Sequence, residues 1–353
     1  MALELRNITK RLGADTHIYD TSLTLAAGGF NVLLGATNAG KTTLIKLMAG
    51  LEKPTSGEIW MDGVNVTKQS TQKRNISLVH QFFVNYPHMT VFENIASPLR
   101  VAGVAKSEIA GRVEEAADIL QLRPMLMRRP DELSGGQQQR CALARAIVKE
   151  SDLVLLDEPL ANLDYKLREE LRDQLPELFA GRKSIVIYAT SEPSEALLLG
   201  GRTATLHEGR VSQFGDTTSV YRAPADLTSA QAFSDPPMNT AKVVKSGNDI
   251  RLSEAVHWAA DGRVAELTDG EYTVGIRPHF ISPMHGGGSV GLNGTVLVTE
   301  LSGSESVAHF DIGGQSWVSQ SPGVHPYRVG ENHAFYMDPA RCYFFAPDGL
   351  VVG

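Results

Sequence analysis

Residues 133–164 read LSGGQQQRCALARAIVKESDLVLLDEPLANLD and constrain the fold more than any other stretch. Ser134-Gly135-Gly136 opens a run that is helix-forming as far as Lys149. The free N–H groups of such a helix start are a ready anion site. Leu153, Val154, Leu155 and Leu156 follow as a short apolar run, the pattern of a strand buried on both faces of a parallel sheet. That strand ends in Asp157-Glu158, two adjacent carboxylates at the carboxyl edge of a sheet, where open α/β folds bind ligands. One segment thus offers a phosphate cradle and an acid pair suited to metal and water.

A second phosphate site precedes it. Gly35-Ala36-Thr37-Asn38-Ala39-Gly40-Lys41-Thr42-Thr43 fits G-x-x-x-x-G-K-[ST] and lies between an apolar strand at 30–34 and a helix at 43–49 that Gly50 stops. Glycines let the backbone wrap phosphate oxygens closely, and the N–H groups of the next helix point at them. In this pattern Lys41 reaches the β- and γ-phosphates and the Thr42 hydroxyl ligates Mg²⁺. A strand at 76–79 leads to His80-Gln81, then to the aromatic stretch 82–86 that Pro87 breaks.

Elsewhere the pattern predicts hairpins around Asp62-Gly63 and Glu208-Gly209, helices at 92–101, 107–122 and 165–179, and a strand at 184–189. The helix–strand alternation ends near Tyr221. Beyond Asp235-Pro236-Pro237, short β runs separated by glycine and proline turns predict a small barrel. The expected organisation is an α/β nucleotide-binding domain at 1–235 and an all-β domain at 236–353.

Composition sets outer bounds. A formal net charge of -7 argues against a general nucleic-acid binder. Two cysteines, Cys141 and Cys342, far apart, read as buried free thiols of a reducing compartment. No apolar run reaches the ~18–20 residues that span a bilayer, and the N-terminus lacks signal-peptide order. A peripheral protein at the cytoplasmic face follows, whose membrane role needs a partner.

Taken in order, the phosphate loop, Gln81, LSGGQ, LLDEP and Asn162-Leu163-Asp164 resemble the ATP-binding subunit of an ABC transporter over essentially the whole chain. The sequence QFFVNYPHMTVFENIASPLRVAGV and the tail domain are similar to the sugar-importer branch, which carries a C-terminal OB-like regulatory domain of TOBE type. THIYDTSLTLAAGGFNVLLG and NYPHMTVFENIASPLR resemble the glycerol importers of proteobacteria. The resemblance implies a P-loop ATPase in which two subunits sandwich two ATP molecules head to tail. Each ATP then lies between one phosphate loop and the other subunit's LSGGQ. Asp157 would hold Mg²⁺ through water, Glu158 would polarise the attacking water, and Gln81 would sense metal and γ-phosphate while its loop meets the permease. Ser134, Gly135, Gly136 and Gln137 would close on the partner's ATP, and Asp164 would link the two sites. Partners implied are a second ATP-binding subunit, membrane permeases and, indirectly, a solute-binding protein.

Three positions depart from the family pattern. Leu12 stands before Gly13 where an aromatic stacks on adenine, Asn38 replaces a small glycine in the phosphate loop, and Ser191 replaces the histidine that contacts the γ-phosphate. Aromatic stacking on a base is worth ~1–3 kcal/mol, and loss of one transition-state donor costs ~2.7–4 kcal/mol. All three lie on the half that holds this subunit's own ATP, whereas 133–140 is intact. The expectation is therefore pairing with a second, different ATP-binding subunit. The alternatives are a homodimeric importer ATPase with slow turnover and a non-transport regulator in which ATP drives clamp closure only. The aromatics at 82–86 favour a permease partner over the soluble class.

Overall fold

The computed structural model describes residues 1–353 except Phe83, Asn162 and Ala180. The readings placed on Phe83 and Asn162 lie outside the described residues. The chain divides into two compact units, Met1–Val220 and Tyr221–Gly353.

In the first unit a six-stranded sheet runs in the order Arg210–Asp216, Arg202–His207, Phe30–Leu34, Ile185–Thr190, Leu153–Asp157, Ile76–Val79. Its members pair in parallel except for the hairpin Arg202–His207/Arg210–Asp216. The central strands Phe30–Leu34, Leu153–Asp157 and Ile185–Thr190 are buried at every position, as their unbroken apolar runs require. A four-stranded antiparallel sheet joins Asp15–Ala26, Ala2–Leu12, Ser56–Met61 and Val64–Asn65. The helix Lys41–Ala49 buries Leu44, Ile45, Leu47 and Met48 in a core shared with Leu5, Ile18 and Ile59 of that sheet and with Leu155 and Ile187 of the other. Each such side chain withdrawn from water contributes about 2 kcal/mol. The phosphate loop therefore opens a helix clamped by two sheets.

Three helices, Val91–Val101, Lys106–Ile119 and Gly135–Val148, pack on one another as a helical layer. Thr90 begins the first with a reciprocal capping box to Glu93. The helix Tyr165–Phe179 buries Leu167, Leu171, Leu175 and Phe179, four apart on one face, and its bounds match the sequence reading. Both expected hairpin turns form, with positive φ at Asp62-Gly63 (47° and 78°) and at Glu208-Gly209 (44° and 76°).

The second unit consists of two five-stranded antiparallel sheets over one core. One orders His257–Ala259, Asp249–Arg251, Asn239–Ser246, Gly270–Ile276 and Tyr343–Phe345; the other orders Ile281–Ser282, Asn332–Met337, Val290–Leu301, Glu305–Ile312 and Gln315–Pro322. Phe310 and Phe335 stack at 3.9 Å beside the buried Trp317. The division of the chain falls before the proline run at 235–237. The short helix Leu227–Ala232 packs Leu227 and Ala230 against Met238 and Phe345, and Asp226 bridges to Leu350. Both thiols are free; Cys141 is buried, whereas Cys342 is only half-buried, a departure from the expectation for it.

Candidate nucleotide site

The phosphate loop takes its shape from two backbone positions. Gly40 caps the helix at φ 105°, and a Cβ there would meet Ile18 Cδ1 at 2.8 Å. Asn38 sits at φ 67°, a left-handed conformation that asparagine tolerates better than other side chains, so the loop closes without glycine at that point. A Cβ on Gly35 would lie 2.3 Å from the Leu206 carbonyl, which is how closely the loop is seated on the sheet. Lys41 is almost fully buried. Its Nζ donates to the carbonyls of Gly35 (2.7 Å) and Ala36 (3.0 Å) and lies 3.3 Å from Glu158 Oε1.

The parallel register carries the acid pair to the same place. Val79 pairs with Leu156, so the next two positions, His80-Gln81 and Asp157-Glu158, emerge side by side. Gln81 Nε2 donates to Glu158 Oε2 at 3.2 Å, and Thr42 Oγ1 donates to Asp157 Oδ1 at 3.1 Å. Asp157 is 1% exposed, and burial raises its carboxyl above the usual carboxylate range against the opposing hydrogen bond from Thr42. Asp157 Oδ2 is buried and has no hydrogen-bond partner. An orphaned carboxylate oxygen beside a threonine hydroxyl is hard oxygen chemistry that fits Mg²⁺. Among the described residues no cluster of three or more His, Cys, Asp or Glu stands ready for a metal. An ion here would therefore draw on Thr42, Asp157 and the ligand's own oxygens.

A cavity of about 580 Å³ opens beside these residues. Thr37 through Thr43 form its floor, and Gln81 and Glu158 one side. The opposite wall was not legible in the sequence as site: Asp15, Thr16, His17 and Tyr19 from the strand Asp15–Ala26, with Glu208 and Gly209 from the hairpin turn. Gly209 knits the two walls. Its N–H donates to Ala39 O (3.0 Å), its carbonyl accepts from Tyr19 N (2.9 Å), and a Cβ would lie 2.3 Å from His17 O. Leu12, 48% exposed at the end of its strand, is not among the residues lining the cavity.

Nor does Leu133 through Gln137 line the cavity. Ser134 and Gln137 instead form a capping box, Gln137 N to Ser134 Oγ at 3.3 Å and Ser134 N to Gln137 Oε1 at 3.0 Å, leaving Ser134 and Gly135 exposed. The same helix is tied to the acid pair from behind, since Gln139 Nε2 donates to the Pro159 carbonyl at 2.5 Å. Asp164 Oδ1 accepts from Leu167 N at 3.0 Å and so anchors the start of Tyr165–Phe179. Ser191 is exposed, and Arg168 holds the neighbouring Glu192 at 2.5 Å. Beneath this segment Tyr188 and Thr190 both donate to the buried Glu195 Oε2, at 2.9 and 2.6 Å.

Comparison with known proteins agrees with this geometry. The ABC transporter family matches residues 18–161 and the TOBE domain matches 274–345. The sn-glycerol-3-phosphate import ATP-binding protein UgpC of Yersinia enterocolitica is 37% identical over 97% of this chain and 96% of its own. This chain belongs to the ABC transporter ATP-binding proteins. The UgpC protein of Cupriavidus necator is 36% identical, covering 98% of this chain and 97% of its own. Among solved structures, the dimeric post-hydrolysis form of the ATP-binding cassette MJ0796, bound to ADP and Pi, is 28% identical. It superposes with a TM-score of 0.57 over 61% of this chain and 98% of that one. As an ABC ATPase the protein binds and hydrolyses ATP in Mg²⁺-dependent fashion, on a P-loop fold followed by an all-β TOBE-type domain. No helix among the described residues is long and apolar enough to cross a membrane.

Proposed function

We propose that this protein is the ATP-hydrolysing subunit of an importer for a sugar or polyol, working as a head-to-tail dimer beneath membrane permeases at the cytoplasmic face. The observation that carries the reading is the split site. The phosphate loop, Gln81 and Glu158 share one cavity, while the capped, exposed start of Gly135–Val148 stays outside it. A second subunit presenting that start would complete each site. In this reading Lys41 neutralises phosphate charge, Thr42 and Asp157 hold the metal, Glu158 orients water, and Gln81 reports occupancy. The UgpC relatives, named for sn-glycerol-3-phosphate import, support a small polyol or its phosphate as cargo.

Pairing of identical copies is supported by the dimeric cassette of MJ0796. One observation favours the second reading, a different ATP-binding partner: Ser191 is too short to replace an imidazole at the γ-phosphate, so hydrolysis would fall to the partner's site, which combines its own phosphate loop and histidine with this chain's LSGGQ. Mass measurement of the Mg·ATP-bound Glu158→Gln protein alone separates them, since a self-dimer supports the first reading and a monomer the second.

The membrane-facing contact is proposed at a groove of about 790 Å³ that includes Val84, Tyr86, Pro98, Val101 and Arg145. Tyr86 is held there by the Arg145 guanidinium 4.4 Å above its ring, and Val84 is 67% exposed. Such apolar side chains have no part in phosphate chemistry and suit a helix end of a permease. In the reconstituted transporter, Tyr86→Ala is expected to lower transport per ATP hydrolysed while nucleotide affinity stays. Unchanged coupling would remove the groove from the proposal.

A further inference from the structure

The cavity's second wall has a consequence for the base. Position 12, where the resemblance expects an aromatic, holds a half-exposed leucine outside the cavity lining. Yet the cavity does contain aromatic rings. Of the described residues that line it, His17 and Tyr19 carry them.

Both rings border the same cavity. Ile18, between them, is fully buried against the phosphate loop, whereas His17 is exposed at an irregular register of its strand and Tyr19 is half-buried. The backbone beneath them is fixed: Gly209 donates to Ala39, accepts from Tyr19, and leaves no room for a Cβ beside the His17 carbonyl. The Arg210 guanidinium lies 3.7 Å from the Tyr19 ring centroid and holds that ring in place. His17 is exposed, with its ring open to a ligand.

We propose that His17 and Tyr19 form the base-stacking platform of this subunit, in place of the residue at position 12. The assignment rests on the ATP-binding reading above and adds to it the side chains that hold the nucleoside. Planar rings on a rigid strand next to a phosphate cradle offer a purine base a π-face at little ordering cost. Arg210 is a positioning residue, acting through Tyr19.

The test is calorimetric titration of the full chain with Mg·ATP and, separately, with inorganic tripolyphosphate, which has no base. His17→Ala and Tyr19→Ala are each expected to lower ATP affinity by about five- to tenfold. Tyr19→Phe, which keeps the ring, restores it. Tripolyphosphate affinity is the same in wild type and variants. Three results overturn the proposal: ATP affinity unmoved by both alanine variants, a loss of equal size for tripolyphosphate, or a larger ATP loss in Leu12→Ala than in either. A wild type that binds neither ligand fails the nucleotide reading itself, and the platform falls with it.

Discussion

The Lys41 ammonium lies 3.3 Å from the Glu158 carboxylate while donating to two carbonyls of its own loop. Both side chains are largely buried, at 5% and 17% exposure. The lysine thus fills the cradle it would otherwise offer to phosphate and serves as counter-ion to the acid. Phosphate oxygens would replace the two carbonyls as acceptors and release Glu158 towards water and Gln81. Charge-assisted bonds of ammonium to phosphate are stronger than neutral ones to carbonyls, which gives this exchange its direction.

Lys41→Ala is therefore expected to weaken Mg·ATP binding by roughly tenfold or more. It also strands Glu158 without its cation in a site of low exposure, so the unliganded protein should lose stability as well. Calorimetry and thermal melts of both proteins check the two parts. Equal nucleotide affinity in the presence of Mg²⁺ would count against the loop assignment.

Gly209→Ala is expected to be damaging although the residue carries no chemistry. The position has φ 76°, and the added Cβ would fall 2.3 Å from the His17 carbonyl. Strain at a positive φ and a backbone clash together cost on the order of 1–3 kcal/mol. Because Gly209 bonds both Ala39 and Tyr19, ATP affinity should fall along with the melting temperature. A variant that melts and binds like wild type would show that the two walls of the cavity are not joined here.

Glu195 predicts a pH dependence. Burial raises its carboxyl above the usual range, against the pull of the Thr190 and Tyr188 hydroxyls that donate to it. The folded state thus binds this proton more tightly than the unfolded chain. Its contribution to stability falls as pH rises from the ordinary carboxylate pKa through the raised one, and at neutral pH the ionised group is a cost. Glu195→Gln keeps an acceptor oxygen for both hydroxyls and removes the charge. The variant should gain stability relative to wild type between about pH 5 and about pH 8, by denaturant titration at each. A constant difference, or one of opposite sign, would contradict the account.

Much of this architecture could be read from the chain itself, because its strongest signals are local. The strand Ile76–Val79 and the helix Tyr165–Phe179 end where apolar periodicity ends, and Gly50 stops Lys41–Ala49 in the left-handed conformation (φ 72°). The acid pair was legible for the same reason, a buried strand that finishes in carboxylates. What stayed hidden was assembled across distance. His17, Tyr19, Glu208 and Gly209 carry no motif, and only the pairing of remote hairpins brings them to Lys41. The strand Asn239–Ser246 escaped notice because Lys245 occupies an inward position of its alternation. There the lysine is buried, and its ammonium reaches the Gly247 carbonyl at 2.8 Å and Asp269 at 3.5 Å. The buried Glu195 with its two hydroxyl donors is likewise invisible to pattern, since a glutamate in the first turn of a short helix reads as solvated.

The central claim is that each ATP site takes its phosphate loop and Glu158 from one copy and its LSGGQ from another. Two inactive variants, Glu158→Gln and Gly136→Asp, separate these halves. Gly136→Asp would set a carboxylate towards the partner's γ-phosphate, and Glu158→Gln removes the acid that orients water. Each variant alone should hydrolyse ATP far more slowly than wild type. ATPase assay of the two variants co-assembled in one preparation is the most direct measurement. Mixed dimers then contain one site with an intact Glu158 facing an intact LSGGQ, and activity should return to a clear fraction of wild type. A mixture as inactive as its components would contradict head-to-tail pairing of identical copies.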